Sequence, residues 1–475
     1  MTNDLRDPAG KAGTGPPAPA AAAKEQTAGK PTASRGFVRD AMGVVTSRVA
    51  VRAAQFVSTL IMARLLGPAG RGLVSALTVP QQLSVNIAEM GMRQSTAFHL
   101  GRDIFPLHRL QPTLLTMVPI ASIIAMVLSI GYFEFAHIAE GDWTLRLLAV
   151  APIPLLLCAS YASGVFLGRQ RIGEFRKTSW RPAFATLLLV VILVGWAGAG
   201  VKGALIATVG GGIVSSVYAL YLLGSESPLR LGFDREVASR LQRRGLSYAA
   251  ALVILTLNYR VMILLLARES TLAEVGLYAQ AMAIAELVWE IPTVLGSLLL
   301  SRGVNARDSL VFSRKVLLLA RFSFVAAVLL SVGIGLAAEF LFPLLYGARF
   351  ANSADICVAL LPGIVAFIVF KVLNTDMAGR GKPWASMLIM LPVLVLNVVL
   401  GWLLIDRYGA IGAAFASSVG YLVATVGYVL LYSRLTGIPL REMLLPQPGD
   451  LTMAVKALPG PAKRIAQRLG AGRER

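Results

Sequence analysis

Two cysteines and three histidines in 475 residues leave little material for a disulfide framework or a metal centre. Cys158 and Cys357 both fall inside apolar runs and read as small buried hydrophobes. His99, His108 and His137 show no ligand spacing, so no metal site is expected. Charge is scarce too, at 15% of residues, and it is lopsided: 45 Lys and Arg stand against 25 Asp and Glu, a net charge of +20. The basic residues are scattered in short loops between apolar runs rather than gathered on one soluble face, which argues against nucleic acid as a partner. Residues 1–36 are rich in Ala, Pro, Gly and Lys and lack a continuous apolar core near the start, so they read as a disordered cytoplasmic tail, not a signal peptide. Nucleotide loops are missing as well. Gly198-Ala-Gly200-Val-Lys-Gly203 fits GxGxxG only as a tight turn between two apolar runs, and Gly379-Arg-Gly381-Lys382 is followed by Pro383 without phosphate-loop spacing.

What is present is apolar: 56% of residues are hydrophobic. A core-spanning helix needs about 20 residues. Twelve runs meet that length, at 43–65, 72–97, 110–131, 146–168, 182–200, 203–224, 246–267, 275–300, 315–338, 354–374, 384–405 and 409–433. The chain is therefore read as an all-α polytopic membrane protein with about twelve transmembrane helices. With a cytoplasmic N-terminus, eighteen loop arginines and lysines from Arg102 to Lys382 lie inside. Seven lie outside, namely Arg64, Arg71, Arg146, Lys202, Arg268, Arg349 and Arg407. That bias places both termini in the cytoplasm.

The two halves echo each other. A shift of 204 sets Ala63-Arg64 on Ala267-Arg268, Gly72-Leu73 on Gly276-Leu277, and Gln82 and Asn86 on Glu286 and Glu290. A shift of 209 sets Gly200, Gly203, Ala204 and Ala207 on Gly409, Gly412, Ala413 and Ala416. Six spans followed by six in the same orientation form a parallel repeat, an architecture of transporters with a binding site between the halves. The expected domains are a six-helix lobe at 37–224, a cytoplasmic linker at 225–245, a second six-helix lobe at 246–433 and a basic cytoplasmic tail at 434–475, in which Met453 to Leu469 can form a short amphipathic helix or stay unstructured.

Polar residues interrupt the apolar runs on one helical face. Arg48, Arg52, Gln55 and Thr59 fall at i, i+4, i+7 and i+11, and Gln82, Asn86, Glu89 and Arg93 repeat the pattern in the next span. Arg52 lies roughly 13 Å into its span at 1.5 Å per residue, whereas Arg48 is shallower and can equally snorkel. Glu89 is placed to neutralise Arg52 across the two helices. Arg260, Glu286 and Glu290 are intramembrane by the same count, with Arg321 and Lys371 less deep. A charge facing lipid costs several kcal/mol, so a polar cavity is the reading for the set. Guanidinium groups suit an anionic head group, and neighbouring carboxylates suit a proton or Na+ site. Glu286 and Glu290 can instead simply hold Arg260 or another cation, and the residues leave both readings open.

The turn Ala63-Arg64-Leu65-Leu66-Gly67-Pro68-Ala69-Gly70-Arg71-Gly72, Gly91 through Gly101-Arg102, Val275-Gly276-Leu277-Tyr278, Leu345-Tyr346-Gly347-Ala348-Arg349-Phe350 and the Gly409–Ala416 opening carry a family likeness. Over residues 40–433 the chain resembles an oligosaccharide flippase, of the O-antigen type, in the polysaccharide transporter family. The same superfamily holds multidrug and toxin extruders and the lipid II flippase. The resemblance implies a V-shaped bundle of two six-helix lobes around a central cavity, in the bacterial inner membrane, alternating between inward-open and outward-open states. It implies transport of polyprenyl-pyrophosphate-linked oligosaccharide to the periplasmic leaflet for O-antigen, capsule or exopolysaccharide assembly, without catalysis or a cofactor, beside polysaccharide polymerase and chain-length proteins. On that view Arg48, Arg52, Gln55, Gln82, Asn86 and Arg260 contact substrate, and Glu89, Glu286 and Glu290 serve pairing or H+ or Na+ coupling.

Three rival functions stand beside this one. A membrane polymerase or glycosyltransferase should carry a sizeable periplasmic loop, but the longest outer connection is about residues 132–145, where Glu134, Glu140 and Asp142 read as a solvated turn. A multidrug extruder would favour acids over arginines in the first span. A lipid II flippase is expected to have about two further spans, and none is read after residue 433.

Overall fold

A computed structural model describes residues 33–290, 292, 309–380, 382 and 384–444. The tail at 1–32, the end of the eighth expected span, Gly381, Pro383 and the segment with Met453 to Leu469 lie outside the described residues. Among the described residues every regular element is helical. The order is α1 (Ala33–Glu89), α2 (Met92–Gly101), α3 (Leu107–Phe135), α4 (Trp143–Val150), α5 (Ile153–Gly168), α6 (Ile172–Val190), α7 (Gly200–Glu226), α8 (Arg235–Glu269), α9 (Leu272–Ala285), α10 (Ser309–Tyr346), α11 (Ser353–Gly379), α12 (Trp384–Thr436) and α13 (Leu440–Leu444). A π-helical turn, Val191–Trp196, continues α6, and a 3-10 turn, Glu286–Trp289, continues α9.

Ten described helices are long and apolar enough to cross a membrane, against the twelve spans read from the sequence. The difference lies in two very long helices. α1 is broken at Gly67 (φ 68°) and α12 at Gly409 (φ 55°), so each consists of two arms that meet at a non-helical residue. Pro68 explains the first break, because its ring disfavours helical geometry in the residue before it.

The packing suits lipid as solvent. Large side chains such as Val127, Leu329 and Val426 point outward, while small residues such as Ala63, Ala207 and Ser353 are buried among the helices beside larger apolar ones. Several hydroxyls buried in the spans donate back one turn, Ser58 to the Ala54 carbonyl at 2.9 Å, Ser129 to Ala125 at 2.8 Å and Thr425 to Tyr421 at 2.8 Å, which satisfies them where lipid cannot, whereas the buried hydroxyls of Thr96, Ser323, Ser331 and Tyr346 have no hydrogen-bond partner among the described residues. Larger polar clasps tie helices together within the second lobe. Asn258 of α8 donates to the Met390 carbonyl at 2.9 Å and accepts from Asn397 of α12 at 3.2 Å.

The repeat has geometric consequences. Gly200 and Gly409, equivalent under the shift of 209, both adopt left-handed backbone, φ 59° and 55°. Gly72 and Gly276, equivalent under the shift of 204, pack on each other between the lobes. A Cβ on Gly72 would lie 1.7 Å from the Leu272 carbonyl oxygen, and one on Gly276 would lie 2.0 Å from that of Pro68. Pro68 and Leu272 are themselves equivalent under that shift, so the contact is a local two-fold. Only glycine on both sides permits this approach. Nearby, Arg64 donates to the Leu345 carbonyl at 2.6 Å and to Leu344 at the end of α10, and Tyr132 of α3 donates to Leu264 of α8 at 2.7 Å. The lobes are thus closed on each other at the end that carries Arg64 and Arg268.

Candidate functional site

Between the lobes lie the intramembrane charges, and one of their pairs crosses the repeat. Arg52 Nε donates to Glu290 Oε1 at 2.8 Å, joining α1 of the first lobe to the residue after the 3-10 turn of the second. The sequence reading set Glu89 against Arg52, but Arg52 has Glu290 as its carboxylate. Glu89 instead lies 3.8 Å from Arg93, one turn on and across the break at Met90-Gly91. The physical reason is spacing along α1. Glu89 sits 37 residues after Arg52 in the opposite arm, where it turns inward and is buried, while Arg52 is half-exposed toward the second lobe.

Arg260 Nη1 lies 3.2 Å from Glu286 Oε1. Glu286 and Glu290 therefore each hold an arginine, one from each lobe. Of the other predicted residues, Arg48, Gln55 and Gln82 are exposed and Asn86 is half-buried. Among the described residues no carboxylate pairs with Arg48. One Glu89 oxygen is buried without a hydrogen-bond partner among the described residues.

The sequence reading passed over the aromatic wall behind these charges. Trp289 lies between the two glutamates in sequence and donates from Nε1 to the Ile364 carbonyl at 3.0 Å. Its ring packs against Tyr259, Phe367 and Tyr421, with centroids 5.3, 5.7 and 5.7 Å away. Lys371 Nζ lies 3.8 Å from the Trp289 centroid and 5.4 Å from that of Tyr259. A cation over a ring face is attracted by the π-quadrupole, so Lys371, first read as shallow, joins the site. The adjacency of Tyr259 to Arg260 and of Trp289 to Glu290 was the available signal. Deeper in the second lobe, Asp376 is fully buried between Arg380 at 2.8 Å and the Tyr432 hydroxyl at 2.6 Å, a structural clasp.

The acids of the connection at 132–145 are all engaged locally. Glu134 binds the buried Arg146, whose Nε also donates to the Ile138 carbonyl at 3.0 Å. Glu140 pairs with His137, and Asp142 caps α4 at the Leu145 amide at 3.2 Å and faces Lys202 at 3.6 Å. That arrangement fastens a turn and leaves no pair of carboxylates converging on a pocket.

At the other end of the molecule the lobes part around a cavity of about 820 Å³, lined from the first lobe by Gln94 and His99 and from the second by Asn374, Ala378 and Ser386. Closed at one end and open at the other, the two lobes form a V.

Comparison with known proteins agrees. Residues 61–355, more than half of the chain, match the family described as polysaccharide biosynthesis protein. The capsular polysaccharide biosynthesis protein CapF of Staphylococcus aureus is 28% identical over 123 residues, and the match spans 26% of this chain and 30% of that one. In fold the chain is similar to the lipid II flippase MurJ in an inward closed conformation, with 14% identity, TM-score 0.69, and coverage of 85% of this chain and 89% of that one. It is also similar to an inward-facing multidrug resistance MATE family transporter of the MOP superfamily, with 16% identity, TM-score 0.64, and coverage of 83% and 96%. With the V-shaped helical bundle and the family match across both lobes, the chain belongs to the polysaccharide biosynthesis protein family.

Proposed function

We propose that this protein is a flippase that carries a polyprenyl-diphosphate-linked oligosaccharide from the cytoplasmic to the periplasmic leaflet of a bacterial inner membrane, during assembly of a surface polysaccharide. The observation that carries the reading is the Arg52–Glu290 ion pair across the two lobes of a membrane bundle, with Arg260–Glu286 beside it. An arginine already paired at 2.8 Å with a carboxylate from the opposite lobe has its donors set at carboxylate geometry, which a phosphate oxygen can take over. A diphosphate that displaces Glu290 from Arg52 would at once fill the site and loosen the link between lobes. The polyprenyl tail would remain in lipid between the lobes, and the sugars would lie along Trp289 and Tyr259.

In this scheme both termini are cytoplasmic, so the open cavity faces the side on which lipid-linked sugars are made. The domains are the two lobes at 37–224 and 246–433, with the linker at 225–245, whose second half continues as α8 from Arg235. Arg48, Gln55, Gln82 and Asn86 would extend the polar face for the sugars. A proton or Na+ gradient would drive the cycle through Glu89, whose buried Oε1 makes no hydrogen bond among the described residues and lies 3.8 Å from Arg93, while Glu286 and Glu290 sit closer to their arginines, at 3.2 and 2.8 Å. The protein would act without catalysis or a cofactor. The engaged acids of the outer connection favour transport over a polymerase or glycosyltransferase.

The test is leaflet translocation of a fluorescent undecaprenyl-pyrophosphoryl oligosaccharide in proteoliposomes, with and without an imposed gradient, for the wild type and Arg52→Ala. Translocation that falls at least tenfold in the variant supports the reading. A wild type that moves no lipid-linked sugar, or that lengthens it, refutes it.

A further inference from the structure

The open cavity is lined on one side by an arginine cluster that the central ion pairs do not include. Arg240, Arg243 and Arg244 stand near the start of α8, in the stretch that reads from sequence only as a charged linker. Arg244, Tyr248, Ala251 and Leu255 follow at i, i+4, i+7 and i+11, so one face of α8 runs along the cavity wall. Asn374 lies in the opposite wall.

The cluster is not uniformly solvated or neutralised. Arg240 is held by Glu236 at 2.8 Å, which also lies 3.4 Å from Arg109. Among the described residues neither Arg243 nor Arg244 has a carboxylate in ion-pair range. Arg244 lies over the Phe98 ring, with its guanidinium carbon 3.3 Å from the centroid. That stacking restrains the flat guanidinium and leaves its in-plane N–H groups for a ligand.

The backbone beneath is fixed. A Cβ on Gly245 would lie 2.4 Å from the Met90 carbonyl oxygen, and Ser95 donates to the Leu241 carbonyl at 2.8 Å. The arginine segment of α8 is therefore fastened to the first lobe, while Asn258 and Arg260, further along the same helix, belong to the second. At 1.5 Å per residue, Arg244 and Arg260 are roughly 24 Å apart along the helix.

We propose that Arg243 and Arg244 form an entry site for the diphosphate group of the lipid-linked substrate, at the mouth of the cavity and distinct from the Arg52–Arg260 site. It rests on the transport reading above. The cation pair draws the head group into the mouth, and α8 leads from it toward Arg260. Association at this site is sensitive to salt, because its guanidinium groups are open to solvent.

The experiment measures association rate and affinity of undecaprenyl diphosphate, undecaprenol and inorganic pyrophosphate for the full-length protein in phosphatidylcholine nanodiscs, with a parallel set containing phosphatidylglycerol. Arg243→Gln alone, which touches neither Phe98 nor a carboxylate partner, and Arg243→Gln/Arg244→Gln are compared with Arg52→Ala after each shows a wild-type melting profile. The expected result is a loss of association rate and affinity for undecaprenyl diphosphate of roughly tenfold per arginine removed, with undecaprenol unchanged. Inorganic pyrophosphate should compete, and phosphatidylglycerol should compete weakly. Unchanged binding of undecaprenyl diphosphate in the double variant overturns the entry site. Equal competition by phosphatidylglycerol also overturns it, since the cluster is then a general anionic-lipid patch. A wild type that binds no undecaprenyl diphosphate removes the transport reading as well. Loss of translocation in Arg52→Ala with normal capture in Arg243→Gln/Arg244→Gln removes only the entry site.

Discussion

Gly72→Ala is the sharpest perturbation of the lobe contact. The added Cβ would lie 1.7 Å from the Leu272 carbonyl oxygen, 2.7 Å from its carbon and 2.9 Å from the Gly276 amide nitrogen. All three obstacles are backbone, so no side-chain rotation relieves them. Restoring the shortest contact from 1.7 Å to an ordinary 3.4 Å requires the two helices to move apart by 1.7 Å at the closed end. Overpacking of this kind costs about 1–3 kcal/mol. If the contact exists only while the lobes are closed here, that cost falls on this state alone and shifts the population toward the alternative by roughly 5–150-fold. With Cys158 and Cys357 replaced, spin labels at His137→Cys and Tyr408→Cys report the separation of the lobes at this end, since the two exposed positions belong to different lobes. The expected outcome is a longer distance distribution in Gly72→Ala, with slower translocation because the closed state is now rare. Gly131→Ala, which meets no atom within 4 Å, should leave the distribution unchanged. An unchanged distribution in a folded Gly72→Ala protein would refute the claim that the glycine pair governs the closed state.

Other outcomes follow from single contacts. Charge reversal in Arg52→Glu/Glu290→Arg should keep the pair and hold the unfolding free energy within about 1 kcal/mol of wild type, as partly exposed pairs contribute little, yet abolish translocation. Glu134→Gln should destabilise the outer connection by about 1–3 kcal/mol, because Arg146 beneath it is buried, while the rate per folded molecule stays unchanged. Asp234 accepts from Arg109 at 2.5 Å and from the Val237 amide at 3.2 Å, and this holds its carboxyl below the usual aspartate range, the Arg109 bond being the main cause. A depressed carboxyl contributes stability that is present above its unfolded value, about 3.9, and is lost as pH falls through the lower folded value. Thermal melts of Asp234→Asn should therefore show a shallower acid-side decline than wild type below about pH 4, and an identical slope would sink the assignment.

Much of the architecture was legible because lipid forces a simple code. Runs of about 20 apolar residues can only be spans, and Gly72 and Gly276 stood out under one shift. Three matters were not legible. Length alone counts Gly67 and Gly409 as ordinary turns, whereas the chain carries helix up to each glycine and resumes it directly after. Pairing across lobes was also hidden, because helical periodicity fixes which face a residue occupies but not which helix that face meets. Arg52 therefore took its neighbour in sequence, Glu89, as partner, and the partner in space came from 238 residues away. Lys371 was read by depth from the membrane surface, a measure that cannot see the ring faces of Trp289 and Tyr259.

The Arg52–Glu290 link is weak enough to be a switch. Its arginine is 55% exposed and its glutamate 31%, so in a wet cavity the pair contributes about 1 kcal/mol or less to lobe association. The closed state must then be held mainly by the backbone contact at Gly72 and Gly276 and by the Arg64 cap on the carbonyls ending α10, which contain no substrate-like group. A diphosphate at Arg52 can therefore remove one link without first breaking the packing that shuts the far end. Opening that end needs a second input, which in the proposed cycle comes through Glu89, whose buried oxygen lies on the same α1 that carries Gly72. Head-group capture without an imposed gradient should then leave the His137–Tyr408 label distance unchanged, and a gradient should lengthen it only in protein that retains Glu89. A distance that responds to head group alone would show that the ion pair, and not Glu89, governs the far end.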